Sequence, residues 1–320
     1  MINPNTSKGY QRFYPSLKWI LSALSVYFFI RQLQSIEGDL FGDIFSGLAI
    51  HPYALASIVL LALVNWNAEA QKFKMLIAGE IHLSNIRSFY TILGGRAISN
   101  LTQASTGVYI GRSLLFKKTH PVKVVIATVA GNIAQLLMTY GLGLLCIGAA
   151  ILFTDFAGEF TYNYKLLYVG MLFIIMIIFI VRVKKMLPRI MQKLPRKQAR
   201  VLSMIKKYDK KLYLKVVAVA FLKYVVFALQ FYLLLQLFSD FSLPLSAIIF
   251  VPVAYLMQSL VPVPAISDIG VRVVVSQMLF GDFLTDNAIM QAVTCIWFMN
   301  LIFPGLLGTI YLITSTIQKR

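Results

Sequence analysis

The chain has 320 residues, of which 58% are hydrophobic and only 13% are charged, and its mean hydropathy is +0.75. A soluble domain carries roughly a quarter charged residues, so this composition excludes a water-soluble fold and a soluble catalytic domain. The formal net charge of +18 does not indicate nucleic-acid binding, because the basic residues are clustered as in a positive-inside membrane protein.

Six apolar stretches are long enough to cross a membrane as helices, which takes about 20 apolar residues. In chain order they are residues 17–34, 48–67, 121–153, 166–183, 213–238 and 287–317. The third stretch exceeds one crossing, so we expect its helix to tilt or to break near Gly141 and Gly143.

The charges between these stretches orient them. Thirteen of the 30 Lys and Arg fall between Arg182 and Lys215, whereas the acidic stretches 35–47 and 154–164 contain no Lys or Arg. Basic loops stay in the cytoplasm and attract anionic lipid there. We therefore expect an integral protein of the bacterial cytoplasmic (inner) membrane, with both termini and a basic loop, 184–212, on the cytoplasmic side.

Two further apolar stretches, 86–116 and 243–280, must each begin and end on one side of the membrane for this orientation to hold. Both are interrupted, the first by the polar run 99–107 and the second by Pro262, Pro264 and the residues after them. Irregular backbone at membrane depth is tolerated where protein or a water-filled cavity satisfies it. Each stretch therefore predicts a re-entrant helical hairpin, and two ordinary pairs of short spans are the alternative.

The fold expected from these elements is all-α. It is a polytopic membrane bundle of about six full spans and two re-entrant hairpins, in a single domain of residues 1–320. The hairpin 86–116 is expected to enter from the cytoplasm and the hairpin 243–280 from outside. Two hairpins that enter from opposite sides predict an inverted repeat with a site near the membrane midplane.

An arginine follows glycine in each predicted hairpin. Arg112 comes after Gly107 and Gly111, and Arg272 comes after Gly270. A guanidinium binds phosphate through two parallel hydrogen bonds, and an arginine inside a membrane is a candidate functional residue by default. Two structural alternatives are that Arg112 extends to the cytoplasmic interface, and that Arg272 only neutralises Asp268 one helical turn earlier.

These residues lie in segments that resemble a known family. Residues 92–100 running into 107–112, together with Asp268-Ile269-Gly270-Val271-Arg272, resemble the two signatures of the lysylphosphatidylglycerol synthase transmembrane region, or flippase-like domain. Residues 65–70, Asn-Trp-Asn-Ala-Glu-Ala, resemble the end of that family's second span. The resemblance covers nearly the whole chain.

The resemblance implies movement of a lipid, or of a lipid-linked polar headgroup, between leaflets. It implies no aminoacyltransferase domain here, since the chain ends at Arg320 soon after the last predicted span. Two departures from the family pattern are Val108, where an acid is usual, and Gln103, where a proline is usual. The loss of that acid suggests another substrate or a loss of activity.

The sequence therefore predicts a lipid or lipid-precursor flippase that is not an enzyme, that binds phospholipid or a polyprenyl-phosphate-linked lipid, and that needs no cofactor. Its candidate substrate-binding residues are Asn100, Thr102, Gln103, Gly107, Arg112, Asp268, Gly270 and Arg272. The alternative is a membrane protein without transport activity that docks a lipid or cell-envelope biosynthetic enzyme on its basic loop.

Several other polar residues receive structural interpretations. We expect Glu69 and Glu80 at the membrane interface. Asn132 and Gln135 are expected to form helix-to-helix hydrogen bonds, the commoner use of membrane amides, and the alternative is that they line a cavity. The three histidines are far apart and lack the spacing of metal ligands, so no metal site is predicted.

Overall fold

The computed structural model describes residues 27, 39–79, 81–100, 107–116, 121–153, 208–261, 263 and 268–317. All regular structure in these ranges is helical. The predicted spans 17–34 and 166–183, the acidic stretch 154–164 and most of the basic loop 184–212 lie outside the described residues.

Four long apolar helices form the frame of the described part. They are α2 (Pro52–Ile77), α5 (Pro121–Phe153), α6 (Lys210–Phe238) and the last helix, which consists of α9 (Asp286–Trp297), a π-helical turn (Phe298–Ile302) and α10 (Phe303–Ile317). Each is long and apolar enough to cross a membrane. Exposed apolar side chains on these helices, such as Leu60, Leu137 and Leu222, fit the lipid environment that the composition requires.

Five shorter helices complete the described part. They are α1 (Leu40–Ile50), α3 (Asn85–Asn100), α4 (Gly107–Leu114), α7 (Phe250–Leu260), which follows a 3₁₀ turn, and α8 (Asp268–Phe280). The helices α3 and α4 pack against each other, as do α7 and α8. The two interrupted stretches of the sequence therefore form two pairs of short helices.

The same order of elements occurs twice along the described chain: a long helix, a pair of short helices, and another long helix. The two long helices that begin each set, α2 and α6, pack against each other. One short helix of each pair packs on a long helix of the other set: α3 packs on α10, and α7 packs on α5. The other two, α4 and α8, pack on α5 and α9 of their own sets.

Glycines permit three of these close helix contacts. A Cβ on Gly111 of α4 would lie 2.8 Å from the carbonyl oxygen of Gly94 in α3. A Cβ on Gly308 of α10 would collide with the carbonyl oxygen of Leu93 in α3, and one on Gly143 of α5 would lie 2.6 Å from the Cβ of Leu256 in α7. Small residues let membrane helices approach each other closely where lipid supplies no hydrophobic drive.

The structure decides between two alternatives for one long helix and extends another. The third apolar stretch was expected to tilt or to break near Gly141 and Gly143, and α5 has 33 residues without a break, which leaves the tilt. At 1.5 Å per residue α5 is about 50 Å long, which exceeds a hydrocarbon core of about 30 Å. The helix α2 begins at Pro52 and continues to Ile77, ten residues beyond the apolar stretch 48–67.

Candidate functional site

A buried carboxylate with three cationic partners lies where four helices meet. Glu69 of α2 binds Lys72 at 2.8 Å, Arg112 of α4 at 3.0 Å and Lys223 of α6 at 2.8 Å. Lys72 also donates a hydrogen bond at 3.2 Å to Gln135 Oε1 of α5. We call Glu69, Lys72, Arg112 and Lys223 the Glu69 cluster. Its ion pairs join α2, α4 and α6, and the bond to Gln135 adds α5.

The position of Glu69 along α2 explains this cluster. Glu69 follows the polar segment 65–67 and lies in the part of α2 that faces other helices rather than lipid. It is only 8% exposed, so it packs between helices and does not face water, whereas its expected position at the membrane interface stays a prediction. A carboxylate away from water is stable only when it is paired and hydrogen-bonded, and three cations supply those contacts.

A cavity of about 350 Å³ lies beside the Glu69 cluster, among the short helices α3, α7 and α8 and the long helices. Its charged lining residues are Glu69, Arg96, Lys223, Asp268 and Arg272. Its other lining residues are Asn65, Trp66, Ile92, Leu93, Gln135, Thr139, Tyr224, Phe227, Tyr255, Gln258, Ser259, Val261, Val263, Asn300, Leu301 and Pro304. The lining thus combines charged and amide groups with apolar and aromatic surfaces, as an amphipathic ligand requires.

Asp268 and Arg272 form an ion pair in the wall of this cavity. Asp268 Oδ2 accepts a hydrogen bond from Arg272 Nε at 2.7 Å and lies 2.6 Å from Arg272 Nη2. The helix α8 begins at Asp268, so both residues lie on one face a single turn apart, as the sequence predicts. Their side chains are 17% and 16% exposed, which leaves both groups accessible from the cavity.

A chain of buried side-chain amides crosses the bundle next to the cavity. Asn65 Nδ2 donates to Asn300 Oδ1 at 2.7 Å, Asn300 Nδ2 donates to Gln230 Oε1 at 2.9 Å, and Gln230 Nε2 donates to the Ile58 carbonyl at 3.0 Å. Asn300 lies in the π-helical turn immediately before Pro304. A proline has no N–H for the residue four positions earlier, and the wider turn accommodates that loss.

The structure places the sequence-predicted site residues in different surroundings. Arg272 and Asp268 line the cavity. Arg112 lies outside the cavity lining, behind Glu69, with its guanidinium 5.2 Å from the Phe73 ring centre. Arg112 is 4% exposed, so the alternative that it extends to the membrane interface is wrong. Its contacts are those of a residue that holds Glu69 in place.

The remaining predicted residues lie at helix ends. Gly107 begins α4 and Gly270 lies in the first turn of α8, and both are buried. Asn100 is the last residue of α3, and Thr102 and Gln103 lie outside the described residues.

Sequence reasoning missed two cations of the cavity, Arg96 and Lys223. Lys223 is the one charged residue between 216 and 238 in the apolar stretch that forms α6. A lone charge within a membrane span is a functional candidate, and that signal was sufficient to find it. Arg96 follows Gly94 and Gly95 in the segment 92–100, where its charge is equally unusual.

Comparison with known proteins identifies the family. A search of curated proteins finds no match to this chain. Residues 16–308 match the family model described as the lysylphosphatidylglycerol synthase TM region, and this match contains every residue that lines the cavity. Since the match covers nearly the whole chain, this membrane protein belongs to the family of the lysylphosphatidylglycerol synthase TM region.

Proposed function

We propose that the protein moves a lipid, or a lipid-linked precursor, between the leaflets of the cytoplasmic membrane without catalysing a covalent step. The observation that carries this proposal is the charged cavity that the short helices α3, α7 and α8 line together with the long helices. Charged residues inside a membrane cost free energy, and they mark pathways for polar or ionic substrates. A cavity of about 350 Å³ is within the usual range of small-ligand sites.

The amphipathic lining suits a lipid in particular. Arg96, Lys223 and Arg272 provide cations for a phosphate, while Phe227 and Leu93 provide apolar surface for the start of an acyl or prenyl chain. A phospholipid or a polyprenyl-phosphate-linked lipid has both parts. In this proposal Arg272 binds the phosphate, Asp268 orients Arg272, and Arg112 acts through Glu69.

The lengths of the short helices support a re-entrant arrangement. The helix α4 has 8 residues and α8 has 13, which correspond to about 12 and 20 Å, less than a hydrocarbon core of about 30 Å. Each pair then returns to the side on which it began, with both termini of the chain in the cytoplasm. The exchanged packing of α3 on α10 and of α7 on α5 supports an inverted repeat.

Transport is testable by filling the cavity. Thr139 lines it, and its hydroxyl donates to the Gln135 carbonyl of its own helix at 3.2 Å. The purified full chain is reconstituted in vesicles, and transbilayer movement of fluorescent lipids is followed by adding a quencher that cannot cross the membrane. We expect wild-type protein to accelerate movement and Thr139→Trp to abolish the acceleration, because the indole occupies the space that a headgroup needs.

Thr309→Trp is the matched control. Thr309 makes the same type of bond, to the Gly305 carbonyl at 3.0 Å, but it is exposed on α10 away from the cavity. This variant should transport like wild type. The proposal would be refuted if, for every headgroup tested, lipids crossed the bilayer no faster in vesicles with wild-type protein than in protein-free vesicles. Stable co-purification of a biosynthetic enzyme in that case would favour a docking role.

A further inference from the structure

The cavity and the ion pairs around it contain more positive than negative charge. Two carboxylates, Glu69 and Asp268, are shared among five cations. The cations are Lys72, Arg96, Arg112, Lys223 and Arg272. Counted over the described residues, this excess of three formal positive charges lies inside the helix bundle, where low polarity makes an uncompensated charge far more costly than in water.

The two carboxylates are already occupied by four of these cations. Glu69 binds three and Asp268 binds Arg272. Among the described residues no carboxylate lies within ion-pairing distance of Arg96, although its guanidinium interacts electrostatically with Glu69, Arg112 and Arg272. Arg96 lines the cavity. Its five N–H donors are therefore placed to bind an anion there.

Uncharged polar atoms on the same lining provide a second, independent observation. Trp66 Nε1 and Tyr224 Oη are buried donors, and within the described part of the chain neither has a hydrogen-bond partner. Two amide oxygens on the lining, Asn65 Oδ1 and Gln258 Oε1, also have no partner among the described residues, but they are acceptors and would need a donor such as a headgroup hydroxyl. These four residues are at most 7% exposed. Buried donors without partners cost free energy, which the oxygens of a bound anion would recover.

Resting on the proposed transport function, we infer that the cavity selects a lipid headgroup with at least two negative charges, such as a phosphomonoester or a pyrophosphate linkage. A phosphomonoester carries a charge of about −1.5 to −2 at pH 7 and offers three acceptor oxygens. Such a group compensates most of the excess charge and accepts bonds from Arg96, Arg272 and the Trp66 indole. A zwitterionic headgroup compensates none of it, and a cationic one adds to it.

The inference is tested by binding, which is measured separately from transport. The full-length protein in mild detergent is mixed with five lipids of identical acyl chains and analysed by native mass spectrometry. The lipids are phosphatidic acid, diacylglycerol pyrophosphate, phosphatidylglycerol, phosphatidylcholine and lysylphosphatidylglycerol. We expect the first two to bind at least about tenfold more tightly than the last two. Equal binding of all five, or tighter binding of the cationic lipid, would overturn the inference.

Variants connect this preference to the cavity. Arg96→Gln should weaken binding of the pyrophosphate lipid by about tenfold or more, as expected for the loss of a charge-assisted hydrogen bond. Arg96→Lys, which keeps the charge, should retain the order of the five lipids. Arg87→Gln is the matched control, because Arg87 is an exposed cation on the same helix outside the cavity lining. If Arg96→Gln and Arg87→Gln bound the pyrophosphate lipid with equal affinity, Arg96 would not be part of the binding site.

Two further measurements, competition by inorganic pyrophosphate and a comparison of binding with transport, separate the possible outcomes. Inorganic pyrophosphate should displace the lipid only at concentrations far above the lipid's own Kd, and equal affinity would overturn the assignment to a lipid headgroup. Selective binding without transbilayer movement would leave the headgroup preference standing and refute transport. Movement of all five lipids at equal rates, without selective binding, would support transport and refute the preference.

Discussion

Replacing Glu69 by Gln should destabilise the protein more than any other substitution of a single charge in its described part. The change removes the carboxylate that Lys72, Arg112 and Lys223 share at 2.8–3.0 Å. Breaking one buried ion pair by removing a partner costs about 3–5 kcal/mol, because the other charge stays buried without compensation. Glu69→Gln leaves three such cations, so we expect at least this loss in the free energy of unfolding.

The measurement is reversible unfolding of the purified protein in mixed detergent micelles, followed by circular dichroism. Asp43→Asn is the control, because Asp43 is an exposed acid in the first turn of α1 and its loss should cost about 1 kcal/mol or less. The double variant Glu69→Gln with Lys223→Met should be less destabilised than the sum of its parts, since each change removes a partner of the other. An unfolding free energy of Glu69→Gln within about 1 kcal/mol of wild type would refute the role of the cluster.

Two further predictions concern close packing and buried amides. Gly111→Ala should lower the unfolding free energy by about 1–3 kcal/mol, because the new methyl group meets the Gly94 carbonyl oxygen; Gly79→Ala, which meets no atom within 4 Å, should not. Asn300→Ala should cost about 1 kcal/mol, since it breaks the bonds to Asn65 and Gln230 and each interhelical bond in a membrane contributes about 0.6 kcal/mol on average. Unfolding in micelles measures both effects, and an equal loss for the two glycine variants, or none for Asn300→Ala, would contradict these reasons.

The helical segments were well predicted from the sequence, because the length of an apolar stretch determines whether it can cross a membrane as a helix. The stretches 121–153 and 213–238 correspond closely to α5 and α6, and the interrupted stretches 86–116 and 243–280 each form a pair of short helices. Of the two alternatives for the stretch 121–153, a tilt or a break near Gly141 and Gly143, the structure excludes the break. Glycine weakens a helix only modestly, and Gly143 is needed instead for the close approach of Leu256.

The candidate site was harder to predict, because it depends on contacts between residues far apart in the chain. The pair of Asp268 and Arg272 was predictable, since a separation of four residues within one helix places them together. The partnership of Glu69 with Arg112 and Lys223 was not, since these residues are separated by 43 and 154 positions.

The sequence by itself determined that this chain is an integral membrane protein, which stretches form helices and which family it belongs to. These properties follow from composition, local hydrophobic length and short motifs. Only the tertiary structure decided which cations face the cavity and which are neutralised behind it. Arg112 and Arg96 both lie near glycines in one pair of short helices. The packed helices place Glu69 of α2 within ion-pairing distance of Arg112, whereas Arg96 lines the cavity. A charge inside a bundle takes its role from the partners that packing brings within a few ångströms, and no local pattern specifies those partners.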